Sequence, residues 1–464
     1  MGESSELVFD ADLLQRYDRA GPRYTSYPTA VEFSNDFSVE DYRRHAGRAG
    51  TQPNRRELSL YFHLPFCATV CYYCACNKII TKNRARVVPY LACLQREIAL
   101  QAACFSGTRQ VTQLHWGGGT PTYLSHDQMR SLMATTREHF DLADDAAGEY
   151  SIELDPREMK HDTMAVLREI GFNRLSVGVQ DFDPDVQRAV NRIQSEACTI
   201  GVINDAREAE FRSINIDLIY GLPHQSRRSF KHTVTRIIAA DPDRISVFNY
   251  AHLPARFKVQ RQIDERALPD ANEKLAILQQ TTEQLLDAGY RYIGMDHFAK
   301  PEDELAVAQR AHELTRNFQG YSTHGESDLI GLGVTGIGSV GDCYYQNARD
   351  IADYQATVEG GKLPIERGLE LNEDDRIRRY VISEMICHFS VSFDRVNARF
   401  GIDAAAYFGA EIERLIPFQD DGLVLVDGNG IEVTSRGRLL IRNICMTFDR
   451  YLPHVSEAKF SKVL

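Results

Sequence analysis

From about residue 58 the chain alternates between two hydrophobic periods. Short runs rich in β-branched and aromatic residues read as strands: Leu58–Phe66, Val111–Trp116, Tyr150–Leu154, Arg174–Val179, Ser213–Tyr220, Arg244–Tyr250 and Tyr290–Met295. Between them, apolar positions recur at helical spacing over Val87–Ala103, His126–His139, Asp162–Ile170, Cys198–Ala209, Ser229–Ala240 and Ala271–Ala288. Such strand–helix alternation predicts parallel βαβ units, and six or seven of them suit an open or closed barrel.

The flanks depart from this pattern. Residues 1–50 form an arm of turn formers and aromatics, including Gly21-Pro22-Arg23-Tyr24-Thr25-Ser26-Tyr27-Pro28. Residues 301–370 read as an irregular connecting segment, with a Gly-rich stretch at Gly331-Leu332-Gly333-Val334-Thr335-Gly336-Ile337-Gly338. From residue 371 the pattern is helical, broken by a hairpin over Gly422–Val433 that is expected to turn at Asn429-Gly430. The expected fold is therefore α/β. A partial (β/α)6-type TIM-like barrel over 51–300 carries an N-terminal arm over its mouth and a small, mostly helical, winged-helix-like C-terminal domain over 371–464.

Polar residues and glycines crowd the C-terminal ends of the expected strands: Gly117-Gly118-Gly119-Thr120, Glu153, Gln180, Gly221-Leu222-Pro223 and Asn249. Active sites of βα barrels are built at that rim. Turn glycines and helix N-caps explain some of these positions. They do not explain Glu153, an acid pointing inward on a strand flanked by apolar residues.

Composition narrows the reading. The 464 residues are 43% hydrophobic and 25% charged, as in a folded globular protein. A net charge of −12 argues against generic nucleic-acid binding. No apolar run is long enough to span a bilayer, and the stretch Met1–Asp12 is polar and acidic, unlike a signal peptide. A cytoplasmic location is expected, where the ten cysteines would be thiols or metal ligands. Cys93, Cys104, Cys198, Cys343, Cys387 and Cys445 are scattered and read as buried small apolar residues.

The other four cysteines lie in Cys67-Ala68-Thr69-Val70-Cys71-Tyr72-Tyr73-Cys74-Ala75-Cys76, directly after the first strand. Thiolates this close in sequence can converge on one iron–sulfur cluster. The spacing is neither the ferredoxin run nor the paired knuckles usual for zinc, although a structural zinc site remains the plain alternative. Cys-x3-Cys-x2-Cys with an aromatic before the last cysteine resembles the signature of the radical S-adenosylmethionine superfamily. A four-iron cluster with three cysteine ligands leaves one iron open, and the amino and carboxylate groups of S-adenosylmethionine can occupy it. Reductive cleavage then releases a 5′-deoxyadenosyl radical. The Gly117–Thr122 turn fits as a cradle in which the backbone can approach that cofactor.

The resemblance extends along nearly the whole chain. Tyr61-Phe62-His63-Leu64-Pro65-Phe66-Cys67, Cys74-Ala75-Cys76-Asn77-Lys78, His115–Thr122, Gly178-Val179-Gln180-Asp181-Phe182, Asn215–Pro223 and Phe248-Asn249-Tyr250-Ala251-His252 are similar to the oxygen-independent coproporphyrinogen III oxidases. So are the arm Gly21–Pro28 and the tail Asn443-Ile444-Cys445-Met446. The resemblance implies oxidative decarboxylation of two propionates of coproporphyrinogen III to vinyl groups, giving protoporphyrinogen IX in haem synthesis. It implies Cys67, Cys71 and Cys74 as ligands of a 4Fe-4S cluster. Tyr61, Gly118, Glu153 and Ile337 match positions on the cluster-bound S-adenosylmethionine. Tyr73, Gly119, Thr120, Gln180, Arg192, Asp217 and Ala251 match a second S-adenosylmethionine site. Tyr73 departs from the family, which often has phenylalanine there, and its hydroxyl needs a partner.

Cys76 resembles the extra cysteine of the family and is expected to act near substrate or cofactor, not as a ligand. His63 shares a strand face with Tyr61; tuning or protonation near the cluster competes with a satisfied core histidine. Arg16, Arg19, Arg23 and Lys78 are candidate partners for substrate carboxylates. The family further implies a monomer and an electron donor such as a flavodoxin or ferredoxin. Alternatives are a related haem chaperone, a haem-modifying methyltransferase, an electron-transfer protein and a non-enzymatic metal-binding scaffold.

Overall fold

The computed structural model describes residues 7–49, 56–105, 109–325 and 327–452. The expected arm boundary at 50/51 and the ends of the arm and C-terminal segments lie outside the described residues. The chain forms two compact units. One comprises Phe33–Lys274 and Glu326–Glu370; the other comprises Met1–Glu32, Leu275–Gly325 and Leu371–Leu464.

The first unit is built on a sheet whose strands we label β1 (Leu58–Leu64), β2 (Gln110–Gly118), β3 (Glu149–Leu154), β4 (Arg174–Gln180), β5 (Ser213–Tyr220), β6 (Arg244–Asn249), β7 (Asp328–Leu332), β8 (Ile337–Val340), β9 (Cys343–Asn347) and β10 (Ile365–Glu370). Their order is β6-β5-β4-β3-β2-β1-β7-β8-β9-β10. All pairings from β6 through β1 to β7 are parallel, and those from β7 to β10 are antiparallel. Helices connect the parallel strands, as the two alternating periods predict. The helix expected over His126–His139 has those bounds, and its first turn is closed by a Ser125–Gln128 capping box.

Parallel sheets are normally apolar on both faces. Here only one face is. On β3, Tyr150, Ile152 and Leu154 are buried while Ser151 and Glu153 are half-buried on the other face; on β5, Ile214, Ile216, Leu218 and Tyr220 alternate in the same way with Asn215 and Asp217. The period-2 pattern therefore collects polar side chains on a single face, next to the C-terminal strand ends.

Three expectations change. The run at Tyr290–Met295 forms a strand, Arg291–Gly294, but it pairs antiparallel with His297–Ala299 and belongs to the second unit. The place beside β1 is taken by β7, from the segment read as irregular. That segment is regular: it carries β7–β10 and the helix Ile351–Glu359. Strand β7 is buried at every position and holds Gly331, so it has no alternation to read. The third change is small. Asp427 pairs with Gly430, so the hairpin turns at Gly428-Asn429, one residue early, with Asp427 Oδ1 accepting the Asn429 and Gly430 amides.

In the second unit a helix, Glu373–His388, opens on an Asn372–Asp375 capping box and precedes the three-stranded sheet Ser390–Ser392, Gly430–Val433 and Val424–Asp427. The arm residues of this unit pack on its own tail. Tyr17 stacks on Phe418 at 4.8 Å, the Tyr24 hydroxyl donates to Asp449 at 3.0 Å, and Arg442 donates to the Gly21 and Pro22 carbonyls. Among the described residues no helix is long and apolar enough to cross a membrane.

Candidate active site

The cysteine loop leaves the end of β1 through a short parallel pair, Phe66–Cys67 with Ile79–Ile80. It is pinned by the Tyr72 amide to the Val190 carbonyl at 2.9 Å and by Asn191 Nδ2 to the Val70 carbonyl at 2.7 Å. Tyr72 and Tyr73 pack against an apolar cluster of Val186, Val190, Leu222, Tyr250 and Ile263. Lys78 Nζ donates back to the carbonyls of Cys74 and Cys76 at 2.9 and 3.3 Å. Cys67, Cys71, Cys74 and Cys76 thereby line one cavity, together with Tyr73, Gly118, Gly119, Thr120, Glu153, Gln180, Arg192 and Asp217.

Hydrogen-bond donors are aimed at the sulfurs. Arg157 Nη2 and Arg192 Nη1 each lie 3.6 Å from Cys71 Sγ, and Thr120 Oγ1 lies 3.6 Å from Cys67 Sγ. Arg192, Cys71 and Cys74 are the electrostatic neighbours of the Tyr73 hydroxyl. A hydrogen bond from Cys76 lowers the Cys74 thiol to about 6, whereas burial raises Cys67 to about 11. Such a donor set suits anionic thiolates. Three thiols with cationic and hydroxyl donors around one cavity fit an iron–sulfur cluster. Arg192 Nε is buried without a hydrogen-bond partner, which leaves a donor for a bound anionic group.

Arg192 is also an ion-pair residue. It is 6% exposed, and Nη1 contacts Asp155 Oδ2 at 2.8 Å while Nη2 donates to the Gly178 carbonyl at 2.6 Å. Asp155 is shared with Arg157, whose Nη2 lies 2.6 Å away. Burial opposes the Asp155 charge, but the two guanidiniums hold its carboxyl below the usual range. The alternation on β3 puts Asp155 on the same side as Glu153; that spacing could have revealed Asp155, but the carboxylate alone does not name its partners.

Two carboxylates face the cavity. Glu153 accepts from His115 Nε2 at 3.3 Å and from the Gly118 amide at 3.1 Å; burial works against its charge, and these bonds keep its carboxyl low all the same. His115 Nδ1 is 2.5 Å from Ser151 Oγ. Asp217 accepts from Ser176 Oγ and Asn215 Nδ2, each at 2.8 Å, but burial pushes it up to about 6. Opposite environments thus separate two acids of similar intrinsic strength.

The glycines have a different immediate reason from the one expected. A Cβ on Gly118, whose φ is +108°, would meet the His63 ring at 2.6 Å, and one on Gly119 would meet the Pro65 backbone at 2.7 Å. The turn is bare because β1 packs against it, and the cavity wall follows from that packing. His63 is closed off. Its Nε2–H donates to the Asn77 carbonyl at 2.9 Å, so Nδ1 is the acceptor facing the Tyr61 hydroxyl at 3.3 Å, and burial keeps the ring neutral. Both ring nitrogens are thus partnered within β1 and the loop that follows it.

Tyr61, His63, Ala251 and Ile337 do not line the cavity. Tyr61 stacks on His115 at 5.8 Å. Ile337 backs onto Gly331 through its backbone. Ala251 is tied to the cysteine loop by a residue the sequence did not flag: buried Gln260 donates through Nε2 to the carbonyls of Tyr73 and Ala251, at 3.0 and 3.2 Å.

The strand order, the cysteine loop at the end of β1 and the acids on the polar face define a radical S-adenosylmethionine protein. Residues 61–237 match the family model of the radical SAM superfamily, and residues 371–440 match the HemN C-terminal domain. The chain is 56% identical to an oxygen-independent coproporphyrinogen III oxidase of Pseudomonas aeruginosa and 50% identical to that of Escherichia coli, in both cases over 99% of each chain. The solved E. coli enzyme, described as a radical SAM enzyme, superposes with a TM-score of 0.90 at 48% identity, covering 96% of this chain and all of that one. The chain belongs to the oxygen-independent coproporphyrinogen III oxidases. The chaperone, methyltransferase and scaffold alternatives are set aside.

Proposed function

We propose that this chain decarboxylates two propionates of coproporphyrinogen III to vinyl groups, using Cys67, Cys71 and Cys74 to hold a 4Fe-4S cluster. The observation that carries this is the convergence of those three thiols, with their donors, on a cavity whose wall holds Glu153 and Asp217. When bound, the cluster with S-adenosylmethionine supplies a 5′-deoxyadenosyl radical that abstracts hydrogen from a propionate β-carbon.

The protein's own groups do the rest. Glu153, held ionised, accepts an amino or hydroxyl group of the cluster-bound S-adenosylmethionine, and Tyr61 and Ile337 support its site. Arg192 receives the carboxylate of a second S-adenosylmethionine, next to Tyr73, Gly119, Thr120 and Gln180. Asp217 accepts ribose hydroxyls there, best above pH 6. Ala251 completes that site through Gln260. Cys76 acts beside the substrate, and His63 keeps Gly118 in place. Arg16 and Arg23 pair with Asp421 and Asp296 at 2.7 and 2.8 Å. The carboxylate-binding role falls better to Lys78, which lines the cavity. Deleting the arm would also strip buried Tyr17, Tyr24 and Tyr27 from the second unit, so point variants are the cleaner probe. We further read the protein as a cytoplasmic monomer served by a one-electron donor.

The test is anaerobic reconstitution with reductant, S-adenosylmethionine and coproporphyrinogen III, followed by mass spectrometry. Loss of two carboxyl groups with formation of 5′-deoxyadenosine is expected. Deoxyadenosine without decarboxylation would overturn the substrate assignment, and neither product from cluster-loaded protein would overturn the radical assignment.

A further inference from the structure

The chain carries a net charge of −12, yet no acidic residue occurs between Glu57 and Glu97. That stretch holds the cysteine loop and five cations: Lys78, Lys82, Arg84, Arg86 and Arg96. Residues Lys82–Arg86 are all exposed, and two large apolar side chains flank them, Ile80 at 39% exposure and Val88 at 59%. Lys82 and Arg86 form no ion pair among the described residues. The result is an exposed cationic segment bordered in sequence by two exposed apolar side chains, on a chain of net negative charge.

This surface is built in place and joined to the cysteines. Ile80 pairs in register with Cys67, and the Thr81 amide donates to the Cys67 carbonyl at 3.0 Å. The Tyr123 hydroxyl donates to the Thr81 carbonyl at 2.8 Å, and Arg84 lies flat over the Tyr123 ring at 3.9 Å. Arg84 also meets Glu158, which lines the cavity, at 3.4 Å. A protein seated on Ile80 and Val88 would therefore stand one short strand from a sulfur that lines the site.

We infer that this surface docks an acidic one-electron carrier protein, of the flavodoxin or ferredoxin kind, and passes its electron toward Cys67. The inference rests on the reading of Cys67 as a cluster ligand. In the step itself the reduced carrier loses one electron and the cluster gains it; no atom is transferred. Opposite charge brings the partners together quickly and in register, and exposed Ile80 and Val88 offer apolar contact beside it.

The test uses cluster-loaded full-length protein in anaerobic stopped flow, following cluster bleaching with either reduced flavodoxin or dithionite. The double variant Lys82→Glu, Arg86→Glu should slow reduction by flavodoxin at least ~10-fold at low salt and lose most of the wild-type salt dependence. Dithionite, which needs no docking surface, should reduce both proteins at the same rate. The double variant Ile80→Ser, Val88→Ser should raise the flavodoxin concentration needed for half-maximal rate and keep the salt dependence. Unchanged flavodoxin rates would overturn the proposal, as would equal slowing with both reductants. Failure of dithionite to bleach wild-type protein would instead count against the cluster reading.

Discussion

Each unit of the molecule contains an arginine held by aspartate, buried at Arg192 and half-buried at Arg378, and the two differ in what remains over. In the second unit Arg378 spends its contacts on the unit's own acceptors: it contacts Asp374 at 2.9 Å and Glu411 at 3.0 Å and donates to the Phe448 carbonyl. In the first unit Arg192 shares one carboxylate, Asp155, with a second guanidinium. Its remaining reach goes to the Cys71 sulfur, and its Nε has no partner. Two cations on one acid leave net positive charge in a buried place. A structural cluster closes its donors against its own acceptors, whereas a binding site keeps a surplus for what it will hold.

The largest expected effect tests what that surplus is for. Replacing Cys67, Cys71 or Cys74 with serine should abolish turnover and lower iron and sulfide content, with the fold retained by circular dichroism. Retained iron in all three variants would remove the reason for the donors. The comparison itself is broken or kept by a pair of variants. Arg192→Gln should lower kcat/KM for S-adenosylmethionine by ~10²-fold with a modest change in melting temperature. Arg378→Gln should destabilise by about 1 kcal/mol, because Asp374 and Glu411 each lose one of two cations and keep Arg450 and Arg414, while folded molecules keep their activity. The opposite assignment of losses would show that the two arginines have exchanged roles.

A third arrangement lies between these two. Glu97 is fully buried and pairs with no cation among the described residues; the Gly333 amide, Asn347 Nδ2 and the Tyr354 hydroxyl donate to it at 2.8, 2.6 and 2.6 Å. Burial pushes it up to about 7, above the ordinary glutamate range. The folded state then binds the proton more tightly than the unfolded chain. The resulting stability is full below about pH 4.5 and is lost as pH rises through 7. Urea denaturation should show wild type losing about 2 kcal/mol relative to Glu97→Gln between pH 5 and 8; parallel curves would show that neutral donors alone keep the acid ionised. The smallest effect sharpens the contrast at Cys71. Asp155→Asn should leave the cluster assembled, lower kcat/KM by ~10-fold and move the cluster potential to more positive values, since two cations would face the sulfur unopposed.

Much of this was open to reading along the chain. The cysteine spacing, the bare turn at Gly117–Gly119 and the inward acids Glu153 and Asp217 are local features, and period-2 alternation puts Glu153 on the polar face without help from the rest of the molecule. The paired helix and strand periods likewise settled the parallel order of β1–β6, since short right-handed crossovers leave few other topologies. The exposed basic run Lys82–Arg86 is also visible as a charge pattern.

Other features needed the fold. Strand β7 sits beside β1 from a segment 270 residues further on, the offset of the Leu58–Asp328 pairing, and its uniform burial erases any period. Arg192 and Asp155, 37 residues apart, become a pair only when β4 packs beside β3. His63 gains its ring partners, Asn77 and Tyr61, through the path of the loop, which the sequence does not show. The sequence by itself determined which side chains are present and which face of each strand they take, because those follow from composition and a two-residue period. Only the tertiary structure decided which charges are satisfied and which are left over, because that depends on partners brought together from distant parts of the chain.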